Sequence, residues 1–259
     1  MRDHTETLDD NPVHWLEADG PPVLWLHGVP NGAEMWRPFL ERAGGVAVDL
    51  PGFGQSGKRA DYDYSIAGYD RFIERFLDHL GWDRVRLVMH DWGAVGLAFA
   101  QRRPERVERL ALVDVVPFLP GYRWHRIARI WRKKAAGELF MGSTNRITVR
   151  LLRRWVGLPA QLDDQVFDVF DQGTQRAIIK LYRSAPEDEL ARAGAHLADI
   201  TAPALVVWGD ADPFLPPRFG DGLAAALGDA TIEHVPGAGH WPWLERPELV
   251  GRLCDWIAA

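Results

Sequence analysis

An aspartate in the middle of the chain occupies a position typical of an enzymatic nucleophile. Asp91 follows the apolar run at residues 85–89 and precedes Gly93, so a strand should end, the chain turn tightly and a helix begin. A side chain on such a turn projects from the edge of a sheet, near helix N–H groups that favour negative charge. Asp91 is therefore the candidate nucleophile.

Serine chemistry is not supported by this sequence. The chain contains four serines, and none of them lies in a Gly-x-Ser-x-Gly sequence: Ser56, Ser65, Ser143 and Ser184. That sequence places the hydroxyl of a serine hydrolase on the turn that Asp91 occupies here. A serine esterase or lipase would therefore lack its nucleophile.

A histidine near the carboxyl end could act as the general base. His240 lies in Gly-Ala-Gly-His-Trp at residues 237–241, where the glycines let the chain turn closely around the imidazole. Hydrolytic triads with the chain order nucleophile, acid, histidine are known. An orienting acid is therefore expected between Asp91 and His240.

Three aspartates that follow predicted strands could orient His240. Asp212, after the apolar run at residues 204–208, ranks first. Asp114, after residues 110–113, is the alternative acid, and Asp210 ranks third. Those that do not orient the histidine are expected to cap turns, as Asp beside Gly and Pro commonly does.

Two backbone N–H groups could stabilise negative charge beside Asp91. Leu-His-Gly-Val-Pro at residues 26–30 directly follows a predicted strand, so the N–H of Val29 could act together with that of Trp92. Loss of one such oxyanion donor typically costs about 2.7–4 kcal/mol of barrier stabilisation. His27 is interpreted as a turn residue and not as a base.

Short apolar runs predict the strands that would position these groups. They are bounded by Gly, Pro or Asp and lie at residues 23–26, 46–48, 85–89, 110–113 and 204–208. Helical spacing predicts helices over residues 69–80 and 93–101. This alternation predicts an α/β fold with a mostly parallel sheet flanked by helices, in which ligands bind beyond the carboxyl ends of the strands.

Residues 118–199 interrupt the alternation. Apolar side chains recur at helical spacing along two stretches: Trp124, Ile127, Ala128 and Trp131, then Ile147, Leu151 and Trp155. No strand pattern occurs between them. The sequence predicts a helical cap over residues 118–199, set into a core domain formed by residues 1–117 and 200–259.

The first half of the predicted cap is strongly basic. Residues 117–160 carry ten Lys and Arg side chains against one acid, Glu138. We interpret this pattern as the solvated face of amphipathic helices, paired with acids such as Asp163, Asp164 and Asp168. A surface that attracts anionic substrates or lipids is the less favoured interpretation.

Composition narrows the remaining possibilities. The 259 residues are 47% hydrophobic and carry 30 basic and 36 acidic side chains, for a net charge of −6. That charge favours neither nucleic acid nor a polyanionic partner. One cysteine, Cys254, excludes an intrachain disulfide, and no metal site or cofactor is expected. The polar first ten residues do not resemble a signal peptide, and no apolar run suits a membrane, so a cytoplasmic protein is predicted.

The chain resembles α/β-hydrolases of the epoxide hydrolase and haloalkane dehalogenase group. The matching segments are His-Gly-Val-Pro at 27–30, Asp-Leu-Pro-Gly-Phe-Gly-Gln-Ser at 49–56, His-Asp-Trp-Gly at 90–93, Gly-Asp-Ala-Asp-Pro at 209–213 and Gly-His-Trp at 239–241. They lie within residues 23–117 and 201–259, and the cap between them matches poorly. The resemblance implies the α/β-hydrolase fold and an aspartate nucleophile.

An aspartate nucleophile implies a reaction in two steps. A carboxylate is already anionic, so Asp91 can attack an sp3 carbon without a base and form an alkyl ester. His240, oriented by Asp212, would then activate water against that ester. The N–H groups of Val29 and Trp92 would hold the resulting oxyanion.

The resemblance leaves the leaving group open, and epoxide hydrolysis to vicinal diols is the preferred prediction. Epoxide hydrolases of this fold use cap tyrosines to protonate the epoxide oxygen. Tyr182 matches the family's tyrosine on the last cap helix, and Tyr122 is a weaker match. The substrate is expected to be a small apolar organic molecule, and Trp92 is expected to line its pocket.

Haloalkane dehalogenation, which releases halide and alcohol, is the alternative. Enzymes of that group hold the halide with two N–H donors, of which Trp92 could be one. Val29 stands where an asparagine often supplies the other, so a cap tryptophan would have to replace it: Trp124, Trp131 or Trp155. Met89, two residues before the nucleophile, is more typical of dehalogenases than of epoxide hydrolases, which usually have Gly there.

Two further functions rank lower. A fluoroacetate-type dehalogenase is disfavoured because Trp92 stands where that family has an arginine. A hydrolase fold can also serve as a ligand-binding protein without turnover. That alternative is disfavoured because the acid, the base and both oxyanion positions are all present in the sequence.

Overall fold

A sheet of eight strands, counted over the residues 1–152 and 157–259 that the computed structural model describes, runs through the molecule. The strands are β1 (Arg2–Leu8), β2 (Asn11–Ala18), β3 (Val23–Leu26), β4 (Gly45–Val48), β5 (Val85–Asp91), β6 (Val107–Val115), β7 (Ala204–Gly209) and β8 (Ala230–Val235). Their spatial order is β1-β2-β4-β3-β5-β6-β7-β8. β2 pairs antiparallel with both β1 and β4, and the six strands β3 to β8 run parallel to one another.

The mostly parallel sheet predicted from the sequence is confirmed, and all five predicted strands are present. Three strands were not predicted: β1, β2 and β8. β1 and β8 form the two edges of the sheet and leave most of their residues partly or fully exposed. Because such strands need little apolar surface, they lack the hydrophobic runs by which the central strands were identified.

Helices cover both faces of the sheet and form the insertion after β6. Those of the core are α1 (Arg37–Ala43), α2 (Ile66–His79), α3 (Val95–Arg102), α10 (Arg218–Ala226), α11 (Pro242–Glu245) and α12 (Glu248–Ala258). Between β6 and β7 lie α4 (Arg126–Trp131), α5 (Ala136–Ser143), α6 (Arg146–Leu151), α7 (Asp163–Phe167), α8 (Gln172–Ser184) and α9 (Glu187–Ala193).

Alternate residues of the central strands pack into two hydrophobic clusters, one on each face of the sheet. Leu24 and Leu26 of β3 belong to the cluster that contains Phe76 of α2. Trp25, between them in β3, belongs to the cluster that contains Phe39 of α1. This alternation follows from the two-residue repeat of a strand. Packing on both faces supports the sheet beneath the loops at its carboxyl edge.

In the inserted segment the predicted apolar stripe of one helix is wrong, whereas the predicted pairing of charged side chains is confirmed. Ile147 and Leu151, expected on an apolar stripe, are 71% and 78% exposed, and α6 buries Val149 instead. Trp155, the third member of that stripe, lies outside the described residues. The predicted pairing of basic with acidic side chains is confirmed, because Arg146 pairs with Asp164 and Asp168, and Arg150 with Asp163.

Candidate active site

The predicted nucleophile lies on a strained turn at the carboxyl edge of the sheet. Asp91 is the last residue of β5, and a short 3-10 helix over Trp92–Ala94 follows it and leads into α3. Its backbone has φ 48° and ψ −117°, in the region that only glycine adopts easily. A Cβ on Gly28 would lie 2.3 Å from the Cβ of Asp91, so the neighbouring loop can approach only as glycine.

Backbone N–H groups hold one side of the Asp91 carboxylate. Its Oδ2 accepts a hydrogen bond of 2.8 Å from the N–H of Val29, and the N–H of Trp92 also stabilises the charged form. Burial raises the pKa of Asp91 above its ordinary 3.8, and the two N–H groups and His240 limit that rise. The structure thus brings together the predicted nucleophile and both predicted oxyanion donors.

His240 lies between Asp91 and Asp212. Its Nδ1 is 2.7 Å from Oδ2 of Asp212, and its Nε2 is 3.8 Å from Oδ1 of Asp91. Burial works to lower the pKa of His240, but the Asp212 carboxylate, together with that of Asp91, raises it above 6.5 overall. Because Nδ1–H donates to Asp212, the neutral imidazole presents Nε2 as a proton acceptor toward Asp91.

Asp212, the acid ranked first from the sequence, is the one that contacts His240. Its other oxygen, Oδ1, accepts hydrogen bonds from the N–H groups of Phe214 (2.7 Å) and Leu215 (3.0 Å). These two bonds leave Oδ2 directed at the imidazole. The carboxylate therefore has a single orientation, as expected of a group that fixes the tautomer of a catalytic histidine.

The two alternative acids take other positions. Asp114 is fully buried at the end of β6, and its Oδ1 accepts from the N–H of Gly209 at 2.9 Å. Burial and the neighbouring Asp212 raise the pKa of Asp114 well above its ordinary value. Asp210 pairs with His234 at 2.9 Å.

Two buried histidines support the site without carrying charge. The Nε2–H of His90 donates to the carbonyl oxygen of His240 at 2.8 Å and so fastens the histidine loop to the nucleophile strand. The Nδ1–H of His27 donates to the carbonyl of Gly28, and its Nε2 accepts from the N–H of Leu50. Burial lowers the pKa of both histidines. His27 was interpreted as a turn residue from the sequence.

The loop at residues 49–56 is anchored by one buried carboxylate. Oδ1 of Asp49 accepts from the N–H of Ala33 at 2.6 Å, and Oδ2 accepts from the N–H of Gln55 at 2.8 Å. Nδ1 of His14 lies 2.7 Å from the same Oδ2. This network joins β2, the loop after β3 and the loop after β4, and so supports the backbone that carries Val29.

A cavity of about 80 Å³ separates the sheet edge from the inserted helices. Asp91 and His240 both line it. Most of the remaining walls are apolar, with contributions from Val29, Ile127, Met141, Val149, Leu158, Val166, Phe167, Ile178 and Phe214.

Both cap tyrosines predicted from the sequence line this cavity. Burial, together with the Asp91 carboxylate, raises the pKa of Tyr122 and of Tyr182 well above 10, so both phenols keep their protons. Among the described residues the buried hydroxyl of Tyr122 has no hydrogen-bond partner. Trp131 also lines the cavity, and no described residue accepts from its buried indole N–H.

Trp92 does not form the wall of the cavity as expected. It is 1% exposed, and its ring packs against those of Tyr182 and Trp124, with centroids 5.3 and 5.4 Å away. Bulky cap rings cover it, a packing that spacing in the sequence does not reveal. Its indole N–H lies close to the Tyr182 hydroxyl and lowers the pKa of that phenol, but it makes no hydrogen bond within the described chain.

The three cap tryptophans considered as halide donors differ in availability. The Nε1–H of Trp124 already donates to the carbonyl of Ala185 at 2.9 Å. Trp155 lies outside the described residues. Trp131 remains the candidate with an uncommitted N–H in the described part of the chain.

His125 and Phe214 line the cavity but were not singled out as site residues from the sequence. His125 lies just before a helical stripe in the sequence, a position typical of a helix cap. That it also faces the reactive groups depends on how the inserted helices fold back over the sheet. No spacing rule in one sequence reports that arrangement.

Metal ligation and membrane insertion were also considered within the described ranges. Residues 1–152 and 157–259 hold no group of three or more His, Cys, Asp and Glu side chains arranged to bind a metal ion. Over the same ranges, every helix is too short or too polar to span a lipid bilayer.

Comparison with known proteins places this geometry among hydrolases. Residues 21–247 match the alpha/beta hydrolase fold family. A haloalkane dehalogenase from Mesorhizobium japonicum is 29% identical over 276 residues, which cover 96% of this chain and 88% of the relative. A haloalkane dehalogenase from Mycolicibacterium paratuberculosis is 28% identical over 97% of this chain and 87% of its own length.

Solved structures similar to this chain also include haloalkane dehalogenases. A putative ancestral haloalkane dehalogenase superposes with a TM-score of 0.83 at 28% identity and covers 98% of both chains. A haloalkane dehalogenase from Bradyrhizobium elkani superposes with a TM-score of 0.83 at 26% identity over 99% of this chain and 97% of its own. These relatives favour the alternative dehalogenase prediction over the epoxide hydrolase that was preferred from the sequence.

Proposed function

Because this chain belongs to the α/β-hydrolase fold family, we propose that it is a haloalkane dehalogenase, which converts a small organic halide and water into an alcohol, a halide ion and a proton. The relatives named above support this choice over nearly the whole chain. So does the chemistry of the donors that surround Asp91.

In the first step Asp91 displaces the halide. Oδ1 faces the cavity side of His240, while Oδ2 is held by the N–H of Val29. Oδ1 therefore forms the new bond to carbon as the carbon–halogen bond breaks, and the halide leaves with the bonding electrons. The product of this step is an alkyl ester on Asp91.

The observation that carries the proposal is a set of hydrogen-bond donors without acceptors near this carboxylate. The Tyr122 hydroxyl and the indole N–H groups of Trp92 and Trp131 are buried, and no described residue accepts from them. Tyr122 and Trp131 line the apolar cavity, and neutral donors in such a place suit an anion that departs without a proton. Tyr182 also lines the cavity, and the Trp92 ring packs edge-on against it with centroids 5.3 Å apart.

The acidity of the two phenols also favours a halide over an epoxide oxygen. Burial beside Asp91 raises the pKa of Tyr122 and Tyr182 well above 10. A phenol that holds its proton so firmly serves well as a hydrogen-bond donor and poorly as a general acid. A departing halide needs only the hydrogen bond.

In the second step His240 activates water. Nε2 takes a proton from a water molecule as the water attacks the ester carbonyl carbon, and Asp212 stabilises the imidazolium that forms. The carbonyl oxygen, held by the N–H groups of Val29 and Trp92, carries the negative charge of the intermediate. As the intermediate collapses, the bond from the carbonyl carbon to the alcohol oxygen breaks and the imidazolium returns a proton to that oxygen. The proton left on the new carboxyl group passes to solvent, which restores the carboxylate.

Epoxide hydrolysis is the second candidate, and one specific observation favours it. Two cap phenols line the same cavity and lie close enough to Asp91 for its charge to affect both. Two phenols in this position could donate to an epoxide oxygen. In addition, Val29 has no side-chain donor for a halide.

A matched substrate panel tests the proposal. Purified enzyme is incubated separately with 1-bromobutane, 1-chlorobutane and 1,2-epoxybutane, and bromide, chloride and diol are quantified, with Asp91→Asn as the control. Halide release that is lost in Asp91→Asn supports the proposal. Diol without halide would assign the chain to the epoxide hydrolases, and binding without any product would overturn both candidates.

A further inference from the structure

Helix α4 has the cavity on one face and a basic groove on another. Ile127 and Trp131, four residues apart, both line the cavity. The second feature is an open surface groove of about 280 Å³, and its lining residues are Arg126, Arg129, Ile130 and Lys133. Because the three cations are spaced by three and four residues, they project from one side of the helix. We call these four residues the α4 groove.

The cations along α4 differ from the other basic side chains of the cap. Arg146 and Arg150 pair with acids, as the sequence predicted. Another set of exposed cations forms no ion pair within residues 1–152 and 157–259, and its members are Arg123, Arg126, Arg129, Lys133 and Lys134. The surface around α4 therefore carries concentrated positive charge, although the net charge of the whole chain is −6.

The acids beside α4 are bound to other arginines. Helices α5 and α8 pack against α4, and their one acidic residue is Glu138 of α5. Its carboxylate lies 2.6 Å from Arg183. Glu187, at the start of α9, lies 2.8 Å from Arg132, the residue that follows α4. Since both carboxylates are paired, the positive potential of the α4 groove extends into solvent.

An exposed leucine lies close to these cations along the chain. Leu139 is 78% exposed on α5, and its N–H donates to the carbonyl of Ala135, the residue after Lys134. The N–H of Gly137 donates to the carbonyl of Lys133 at 2.8 Å, so the start of α5 is tied to the end of α4. Cations beside an exposed apolar side chain are typical of protein surfaces that lie on a bilayer, where headgroups contact the charges and the acyl boundary takes the apolar group.

We propose that the surface around α4 binds peripherally to an anionic phospholipid bilayer, with the cations of the α4 groove on the headgroup phosphates and Leu139 at the acyl boundary. Charge complementarity is the main argument, because each Lys or Arg held near an anionic membrane adds to the attraction. Ile127 and Trp131 would then place the cavity one helix away from a phase in which apolar halides concentrate. Binding of this kind does not depend on the proposed reaction, so it is measured without substrate.

Sedimentation with vesicles measures the binding. The purified chain is mixed with sucrose-loaded vesicles of about 30% phosphatidylglycerol in phosphatidylcholine, or of phosphatidylcholine alone, and the pelleted fraction is quantified. We expect binding to the anionic vesicles only, and a steep loss as NaCl rises from about 50 to about 500 mM. Equal binding to both kinds of vesicle, or binding that salt does not weaken, would contradict the role of the cations.

Two triple variants that each remove three positive charges locate the binding surface. Arg126→Gln/Arg129→Gln/Lys133→Gln empties the α4 groove of charge. The matched control changes three exposed arginines that pair with acids in the core domain, as Arg2→Gln/Arg59→Gln/Arg71→Gln. The partition coefficient should fall at least about tenfold in the first variant and stay within about twofold in the control.

Thermal unfolding followed by circular dichroism establishes that both variants are folded. Similar losses of binding in the two would show a dependence on net charge and overturn the assignment to α4.

The orientation on the bilayer can be followed through the one native cysteine of the chain being buried. Because Cys254 is buried, a thiol introduced by Leu139→Cys can be labelled selectively with a polarity-sensitive dye. Thr5→Cys, on the edge strand β1, gives the matched control. Anionic vesicles should shift the emission of the Leu139 label to shorter wavelength and leave the Thr5 label unchanged. A shift at Thr5, or none at Leu139 while the chain is bound, would overturn the proposed orientation.

The remaining outcomes separate a lipid surface from an acidic protein and from the proposed reaction. Binding to poly-L-glutamate without binding to anionic vesicles would assign the α4 groove to an acidic polypeptide and refute the bilayer. Bromide release without any vesicle binding would refute this inference and leave the dehalogenase proposal intact. Vesicle binding that depends on the α4 groove, without bromide release, would support this inference and refute the dehalogenase proposal.

Discussion

Nε2 of His240 lies 3.8 Å from Oδ1 of Asp91, too far for a hydrogen bond and close enough for a water molecule to reach both groups as an ester forms. The two side chains come from different strands of the sheet, Asp91 from the end of the central strand β5 and His240 from the loop after the edge strand β8. This relationship supports separate roles for the nucleophile and the base, and the roles can be tested one at a time.

Replacing the base should trap the intermediate. In His240→Gln, Asp91 can still displace bromide from 1-bromobutane, but no group remains to activate water, so the butyl ester should accumulate. Intact mass should rise by one butyl group, and peptide mapping should place it on Asp91. The double variant His240→Gln/Asp91→Asn should stay unmodified. Consumption of substrate by His240→Gln without any adduct would contradict a covalent mechanism.

Activity should fall on the acid side as His240 becomes protonated. Only the neutral imidazole can accept a proton from water, and the pKa of His240 is raised above 6.5. Steady-state turnover should therefore increase as the pH rises through a value above 6.5. Below it, rapid-quench measurements should show a burst of about one halide per enzyme followed by slow turnover, because alkylation does not need the base. If the burst and the steady-state turnover were lost together at low pH, the fall in activity would be assigned to protonation of Asp91 instead of His240.

The three candidate acids should differ sharply when each is changed to asparagine. Asp212→Asn removes the carboxylate that orients Nδ1 of His240, and ester hydrolysis should slow on the order of 10⁴-fold, as in other triads. Asp114→Asn should cost less than about tenfold, because an amide oxygen can still accept from the N–H of Gly209. Asp210→Asn is the surface control. Single-turnover rates give the comparison, and a larger effect for Asp114 would reverse the assignment.

The donors around the leaving group should matter most for the poorer leaving group. Tyr182→Phe and Trp131→Phe each remove one hydrogen bond to a developing halide, so kcat/KM for 1-chlorobutane should fall about 10- to 100-fold. The loss for 1-bromobutane should be smaller. Trp124→Phe is the control, since its N–H already donates to Ala185, and it should leave the chloride-to-bromide ratio unchanged. Equal losses for both substrates in the first two variants would exclude a role in halide binding.

Removing Asp49 should destabilise the fold. Asp49→Ala would leave the buried N–H groups of Ala33 and Gln55 and the His14 ring without their acceptor, so the free energy of unfolding should fall by about 3–5 kcal/mol. Urea titration followed by circular dichroism measures the change. The control, Asp255→Ala, breaks an exposed pair with Arg42 and should cost less than about 1 kcal/mol. Similar losses in both variants would show that the Asp49 network adds no stability.

The reactive residues could be located from the sequence because each follows a strand pattern. Asp91, Asp114 and Asp212 come after apolar runs whose carboxyl ends meet at one edge of a parallel sheet. Asp212, ranked first among the acids from the sequence, is the one whose carboxylate lies 2.7 Å from Nδ1 of His240. Edge strands escaped prediction, since β1 needs few apolar residues.

The surroundings of the reactive atoms could not be predicted in the same way. Trp92 is adjacent in sequence to the nucleophile, yet Tyr182 and Trp124 cover its ring. Ile147 and Leu151 follow a helical repeat and are nevertheless exposed. In both cases the outcome depends on how separate cap helices pack against each other, and local periodicity carries no information about that packing.

The unequal partners of the two Asp91 oxygens determine where the atoms of the product come from. Oδ2 is held by the backbone of Val29, and Oδ1 is the oxygen free to bond to carbon. Since water attacks the carbonyl carbon in the proposed reaction, the bridging Oδ1 departs within the alcohol and an oxygen from solvent takes its place. In heavy-oxygen water the first alcohol formed would be unlabelled and the isotope would appear in the protein, whose side chain is rebuilt at every turnover.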